Sequence, residues 1–241
     1  MRRLIFYAGG TYGTTPKRIY AGAGGGLFSF KYRFHAAGAF CKNAPNARIL
    51  DLGSGCGTLG LLLCAKSDSC TITGLEITEN AHQCALENIR SNGLSSRLRS
   101  ICCDLRDFPA DLAGTFHCCV SNPPYFSGGP ANLSTPVARR DDCCNCEELF
   151  RTASRALRYG GDFFLVHKPE RLAQLIACGA AVSLEAKQLT LIRHKEGGPI
   201  TLILLQLRKG GKPGLQIHEK SLFDSLGKPT AYYREVYHIE E

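Results

Sequence analysis

From residue 48 onward the chain alternates short apolar runs with stretches of helical periodicity, and that alternation constrains its fold more than any other feature. Strands separated by helices predict an α/β architecture with a mostly parallel sheet, because parallel neighbours need a crossover connection. Strands are expected at Arg48 to Leu52, Thr71 to Ile77, Leu98 to Cys103, His117 to Ser121 and Asp162 to Val166. Helices are expected at Thr58 to Ala65, Thr78 to Asn92, Glu147 to Arg158 and Glu170 to Cys178. Thr78 is placed as N-cap of the second of these and Gly93 as its stop, while Pro169 starts the last. Gln188 to Arg193 and Thr201 to Leu207 then follow with only a Gly-Gly-Pro turn in the connection, which predicts an antiparallel hairpin at one end of a seven-stranded sheet with helices on both faces.

At 241 residues and 44% hydrophobic content the chain can bury one core. No apolar run reaches the ~20 residues a membrane helix needs, and Leu4 to Ala8 is too short for a signal peptide, so a cytoplasmic protein is expected. Thirteen cysteines lie largely inside apolar segments, where free thiols behave as small hydrophobes in a reducing compartment. Charge is unevenly distributed. Residues 1–50 hold eight Lys or Arg and no acid, so the net charge of +8 resides there. This segment also carries Tyr7, Tyr12, Tyr20, Phe28, Phe30, Tyr32 and Phe34. Residues 1–45 are therefore read as a basic, Gly- and aromatic-rich segment suited to phosphate attraction and base stacking, and 46–241 as the catalytic domain.

Asp51-Leu52-Gly53-Ser54-Gly55-Cys56-Gly57 lies between the first strand and its helix. Glycines there allow a sharp turn and close approach of backbone to ligand. Gly55, Gly57 and Gly60 also satisfy a dinucleotide fingerprint formally. Charge separates the two readings: Asp51 at the strand end would repel a pyrophosphate but attract the ammonium and sulfonium of S-adenosylmethionine. Glu76, followed by Ile77, ends the second strand and is placed to accept from ribose hydroxyls. Asp104, followed by Leu105, is placed to accept from an adenine amino group. The expected cofactor-binding set is Asp51, Gly53, Ser54, Gly55, Gly57, Glu76, Ile77, Asp104, Leu105 and Asn122.

Asn122-Pro123-Pro124-Tyr125 follows the fourth strand and indicates the chemistry. A conjugated exocyclic amine is a poor nucleophile, because its lone pair is delocalised. The Asn122 side-chain oxygen and the Pro123 carbonyl can accept its two protons, favouring a pyramidal nitrogen and stabilising charge as a methyl arrives. Pro124 stiffens the turn, and Tyr125 offers a stacking face. The motif alone suits adenine, cytosine, guanine or a glutamine side chain.

The layout is similar to the class I methyltransferase fold, and the chain resembles the bacterial methyltransferases that modify adenine N6 beside the anticodon of a valine tRNA. The resemblance rests on Phe28-Ser29-Phe30, Ala36 to Phe40, Asn122 to Phe126 with Gly128, Ala138-Arg139, Val166 to Leu172, Lys209-Gly210-Gly211 with Leu215, and Pro229 to Tyr237. Where that family usually reads Ala-Arg-His-Glu, this chain has Ala138-Arg139-Arg140-Asp141. The resemblance implies S-adenosylmethionine as cofactor and the anticodon loop of a tRNA as partner; a monomer is expected. The long stretch from Phe126 to Cys146 is read as a substrate lid in which Phe126, Arg139 and Arg140 meet RNA, with Lys168 and Arg171 extending the track. Cys143 and Cys146 have zinc-like spacing but no second ligand pair, so no metal is expected. Two other functions remain open: glutamine N5-methylation of release factors, and noncatalytic RNA binding beside a cofactor pocket.

Overall fold

The computed structural model describes Ala37 and residues 45–123 and 145–237. The expected basic segment 1–45 lies almost wholly outside these residues, as do Pro124, Tyr125, Phe126, Arg139, Arg140, Cys143 and Cys144.

Eight strands form one sheet: β1 (Arg48–Leu52), β2 (Thr71–Glu76), β3 (Leu98–Cys102), β4 (Phe116–Ser121), β5 (Leu157–His167), β6 (Leu184–Lys195), β7 (Ile200–Lys209) and β8 (Gln216–Phe223). Their order is β3-β2-β1-β4-β5-β7-β6-β8. β1 to β5 pair in parallel, β7 runs antiparallel to both β5 and β6, and β8 lies parallel to β6. The expected hairpin is therefore β6–β7. The count of seven is corrected to eight. β8 reads Gln-Ile-His-Glu-Lys-Ser-Leu-Phe and stays exposed along most of its length, because an edge strand needs to bury little and is protected from further pairing by its charges. Only Leu222 of β8 is buried.

β5 also differs from expectation, starting at Leu157 rather than Asp162. Its first half, Leu157 to Gly161, has no hydrophobic alternation, and Gly160 has φ 76°. The pairing with β4 shifts register between Phe116 and Cys118, so this irregular stretch is held by the sheet rather than by its own pattern.

Helices cover both faces. On one, α1 (Thr58–Lys66), α2 (Glu79–Ser91) and α5 (Ala231–Tyr237) enclose Ile49, Ile72, Val120, Phe164 and Val166. On the other, α3 (Cys146–Ala156) and α4 (Leu172–Ala181) enclose Leu50, Leu52, Cys119, Phe163 and Leu165. Alternate residues of each strand serve opposite cores, as the two-residue period of a strand requires. α1 approaches the sheet closely because Gly60 has no side chain: a Cβ there would lie 2.8 Å from the Leu98 side chain. α2 ends at Gly93 (φ 65°), as expected. α3 begins with a capping box in which Asn145 and Glu148 each accept the other's backbone N–H. Phe150 and Phe163 pack edge to face at 5.3 Å. Among the described residues no helix is long and apolar enough to cross a membrane.

Candidate active site

From β1 the chain crosses to β2 on one side, while β4 pairs on the other, so the sheet order reverses between β1 and β4. At such a switch point the loops leaving the two strands diverge and open a crevice at the carboxyl ends. The glycine loop leaves β1 here and Asn122-Pro123 leaves β4. Asp51 pairs in register with Val120, and the Ser121 hydroxyl donates to the Leu52 carbonyl at 2.8 Å, binding the two strand ends together.

Three glycines shape the loop with left-handed backbone: Gly53 (φ 70°), Gly55 (φ 55°) and Gly57 (φ 78°), the last serving as N-cap of α1. An L side chain is strained at each. Ser54 sits against β2, donating its N–H to the Leu75 carbonyl at 2.9 Å. Its side chain fits there only because residue 74 is glycine. A Cβ on Gly74 would stand 2.6 Å from Ser54 Oγ and 2.8 Å from Ser54 Cβ. Glu76 accepts the backbone N–H of Gly55 on one carboxylate oxygen and that of Thr78 on the other, both at 2.8 Å. Thr78 is thus the N-cap of α2, as expected, with its N–H rather than its hydroxyl engaged. Asn88, which sequence reading passed over, donates from α2 to the Cys56 carbonyl at 2.8 Å and is fully buried. Its signal was available: an amide on the face shared with Cys84, Ala85 and Ile89 must find a partner.

Asp51 is 2% exposed, and burial, reinforced by the nearby Glu76 carboxylate, raises its pKa to about 7, although a hydrogen bond from the Gly60 backbone opposes the shift. Three buried side-chain oxygens here have no hydrogen-bond partner among the described residues: Asp51 Oδ2, Ser54 Oγ and Asn122 Oδ1. Native interiors leave few polar atoms in that condition, so each calls for a physical reason. Ile77, just past Glu76, keeps 40% of its surface exposed, a flat apolar patch at the rim.

Asp104 already has a partner of its own. Arg106 donates its backbone N–H and its guanidinium to the Asp104 carboxylate, and this pairing holds the carboxyl below its usual range. Leu105 is buried, and its carbonyl accepts the Thr152 hydroxyl at 2.9 Å. Lys168 precedes and Arg171 ends the turn Pro169–Arg171 directly after β5, on the same carboxyl edge as Asn122, with Arg171 donating to Gln174 at 3.1 Å. The structure therefore gathers Asp51, Gly53, Ser54, Gly55, Gly57, Glu76 and Asn122-Pro123 at the carboxyl ends of β1, β2 and β4.

The methyltransferase small domain family matches residues 25–177, a span that contains the glycine loop and Asn122-Pro123. The chain belongs to this family of methyltransferases. A tRNA1(Val) (adenine(37)-N6)-methyltransferase from Bacteroides fragilis is 32% identical to it over 168 residues, covering 67% of this chain and 69% of the relative. One of the same name from Pectobacterium carotovorum is 30% identical over 178 residues, covering 73% and 72%. The methyltransferase is thus placed among these relatives, as its sequence led us to expect. In fold it is similar to the crystal structure of a predicted O-methyltransferase from Agrobacterium tumefaciens, with a TM-score of 0.71, 20% identity, and coverage of 85% of this chain and 95% of that one.

Proposed function

We propose that this methyltransferase transfers a methyl group from S-adenosylmethionine to the N6 amine of an adenine in tRNA, at the position beside the anticodon named for its relatives. The observation that carries the reading is the trio of buried, unpartnered oxygens on Asp51, Ser54 and Asn122. All three can accept hydrogen bonds, so they suit a ligand rich in N–H groups and positive charge, not a pyrophosphate. Bound there, S-adenosylmethionine supplies an electrophilic methyl group on a cationic sulfur.

The chain's own residues do the remainder. Asp51 takes the cationic end of the cofactor and is drawn to its carboxylate form by that charge. The glycine loop admits the ligand close to the backbone. Glu76 holds the loop through Gly55 and retains a second lone pair on each oxygen for the ribose hydroxyls. The Asn122 side-chain oxygen and the Pro123 carbonyl accept the two protons of the amine, localise its lone pair and stabilise the positive charge that grows as the N–C bond forms; one proton then passes to solvent. Pro124 and Tyr125 fit the same task by stiffening the turn and stacking on the base. An adenine in a loop is cheaper to swing into the crevice than a paired one. Lys168, Arg171, Phe126, Arg139, Arg140 and the basic segment 1–45 are suited to the RNA around it. A cytoplasmic monomer fits this role.

The test is transfer of labelled methyl from S-adenosylmethionine to tRNA, to release factor, or to neither, followed by nucleoside analysis. N6-methyladenosine in tRNA is expected. Labelling of release factor alone refutes the reading.

A further inference from the structure

At the end of the sheet opposite the crevice, a groove of about 250 Å³ crosses the first residues of β1, β2 and β3. Its lining holds Arg48, Arg97 and Arg99 with Thr71, Thr73, Ser95 and Ser96, and no Asp or Glu. Register explains the cluster. Arg48 pairs with Thr71 and Thr73 pairs with Arg99, and residues two apart on a strand share a face, so Arg48 and Arg99 belong to one face of three neighbouring strands, while Arg97 stands in the turn just before β3.

The arginines are fixed before any ligand arrives. Arg97 donates to the carbonyls of Ser67 (2.6 Å) and Cys64 (3.2 Å) at the end of α1. Arg99 donates from Nε to the buried Thr73 hydroxyl at 3.0 Å, and its two terminal nitrogens have no partner among the described residues. The Arg48 guanidinium lies over the Phe116 ring at 5.4 Å. None of these contacts neutralises charge. Among the described residues the one carboxylate paired with the cluster, Asp68, is 3.9 Å from Arg97 with its side chain fully in solvent, where an ion pair counts for little. The basic segment 1–45 has no acid to offer either.

We propose that this groove grips a phosphodiester group of the RNA substrate, a second anchor remote from the target base. Convergent guanidinium and hydroxyl donors match phosphate oxygens, and preset side chains lose little entropy on binding. β1 and β2 span roughly 13 to 17 Å from groove to crevice at 3.3 Å per residue, so an RNA reaching both must wrap the sheet edge. The inference rests on an RNA substrate, but it is tested by binding rather than by methyl transfer.

The experiment measures the Kd of full-length tRNA across a salt series for the whole chain, for Arg99→Gln, for Arg48→Gln/Arg99→Gln and for the charge-preserving Arg99→Lys. Cofactor affinity and melting temperature serve as folding controls. The double variant is expected to bind tRNA about tenfold more weakly or worse. Its slope of log Kd against log salt falls by about one for each arginine lost, and Arg99→Lys keeps most of both. Inorganic phosphate is titrated in parallel. Unchanged RNA affinity and slope overturn the proposal, and so does Arg99-dependent binding of inorganic phosphate without any effect on RNA. If tRNA binds through Arg99 yet no adenine is methylated, the groove stands and the assigned reaction falls. If methylation proceeds while the double variant binds tRNA like the parent, the reverse holds.

Discussion

Replacing Asp51 by Asn separates what the crevice costs the fold from what it gives the reaction. In the folded protein the Asp51 carboxyl is raised from 3.8 to about 7, first by burial and then by Glu76. Between about pH 4 and pH 7 the folded chain keeps a proton that the unfolded chain has released, so the folded state binds more protons and stability falls as pH rises. At about 1.4 kcal/mol per unit, roughly three units give a loss of ~4 kcal/mol, complete above about pH 7 and absent below about pH 4. Asn cannot titrate and escapes this loss, but its buried amide hydrogens lack acceptors at a constant cost of ~1–3 kcal/mol. The cofactor-free Asp51→Asn protein is therefore expected to be no more stable than the parent near pH 4 and about 1–3 kcal/mol more stable at pH 8. Urea unfolding of both proteins from pH 4 to 9 measures the difference, and calorimetry on the same samples measures cofactor affinity, which the variant should lose. A difference in stability that stays flat across this range refutes the account of Asp51 as a buried, destabilising carboxyl.

Three further substitutions probe the site and its support. Asn122→Ala removes one of the two amine acceptors and is expected to cut turnover nearly to background while leaving cofactor affinity within about a few-fold; methyl-transfer kinetics alongside calorimetry will show whether the two effects separate. Gly74→Ala places a Cβ 2.8 Å from the Ser54 Cβ, so the loop itself must shift: cofactor affinity should drop about tenfold, with an overpacking cost of ~1–3 kcal/mol in thermal unfolding. Gly179→Ala, in α4 on the far side of the sheet, would bring a Cβ to 2.9 Å from the Leu184 carbonyl and against Leu207, costing ~1–3 kcal/mol of stability while the KM for S-adenosylmethionine stays unchanged.

The parts of the fold legible in sequence are those whose order comes from burial on both faces. β1 lies inside the sheet between β2 and β4, and its expected bounds match the observed ones because Ile49 to Leu52 have nowhere to go but the interior. β8 was invisible because its register is imposed by β6 and not by its own pattern. The first half of β5 was missed for the same reason. At the end of β1, the sharp turn could be read because left-handed backbone at Gly53, Gly55 and Gly57 demands glycine. Partnership could not be read. Nothing in the residue order announces that Arg106 holds the Asp104 carboxylate two residues back. Asn88 looked like one more helix residue until its amide was found on the Cys56 carbonyl.

Taken together, the polar atoms of the crevice fall into two groups with different purposes. Glu76, Asn88 and Ser121 spend hydrogen bonds on backbone: on Gly55 and Thr78, on Cys56, and on Leu52. They fix the loop and the strand ends whether or not a ligand is present. Asp51 Oδ2, Ser54 Oγ and Asn122 Oδ1 are held in place by that framework and given no partner. A buried polar atom left unsatisfied costs ~1–3 kcal/mol, so three amount to several, a large share of the ~5–15 kcal/mol by which a domain is stable. A ligand that satisfies Asp51 and Ser54, with Asn122 left to the substrate amine, recovers its share of that free energy on binding. The methyltransferase should accordingly gain far more thermal stability from S-adenosylmethionine than from its uncharged adenosine fragment, which cannot answer Asp51; equal gains from the two would place the ligand's cation somewhere other than this carboxylate.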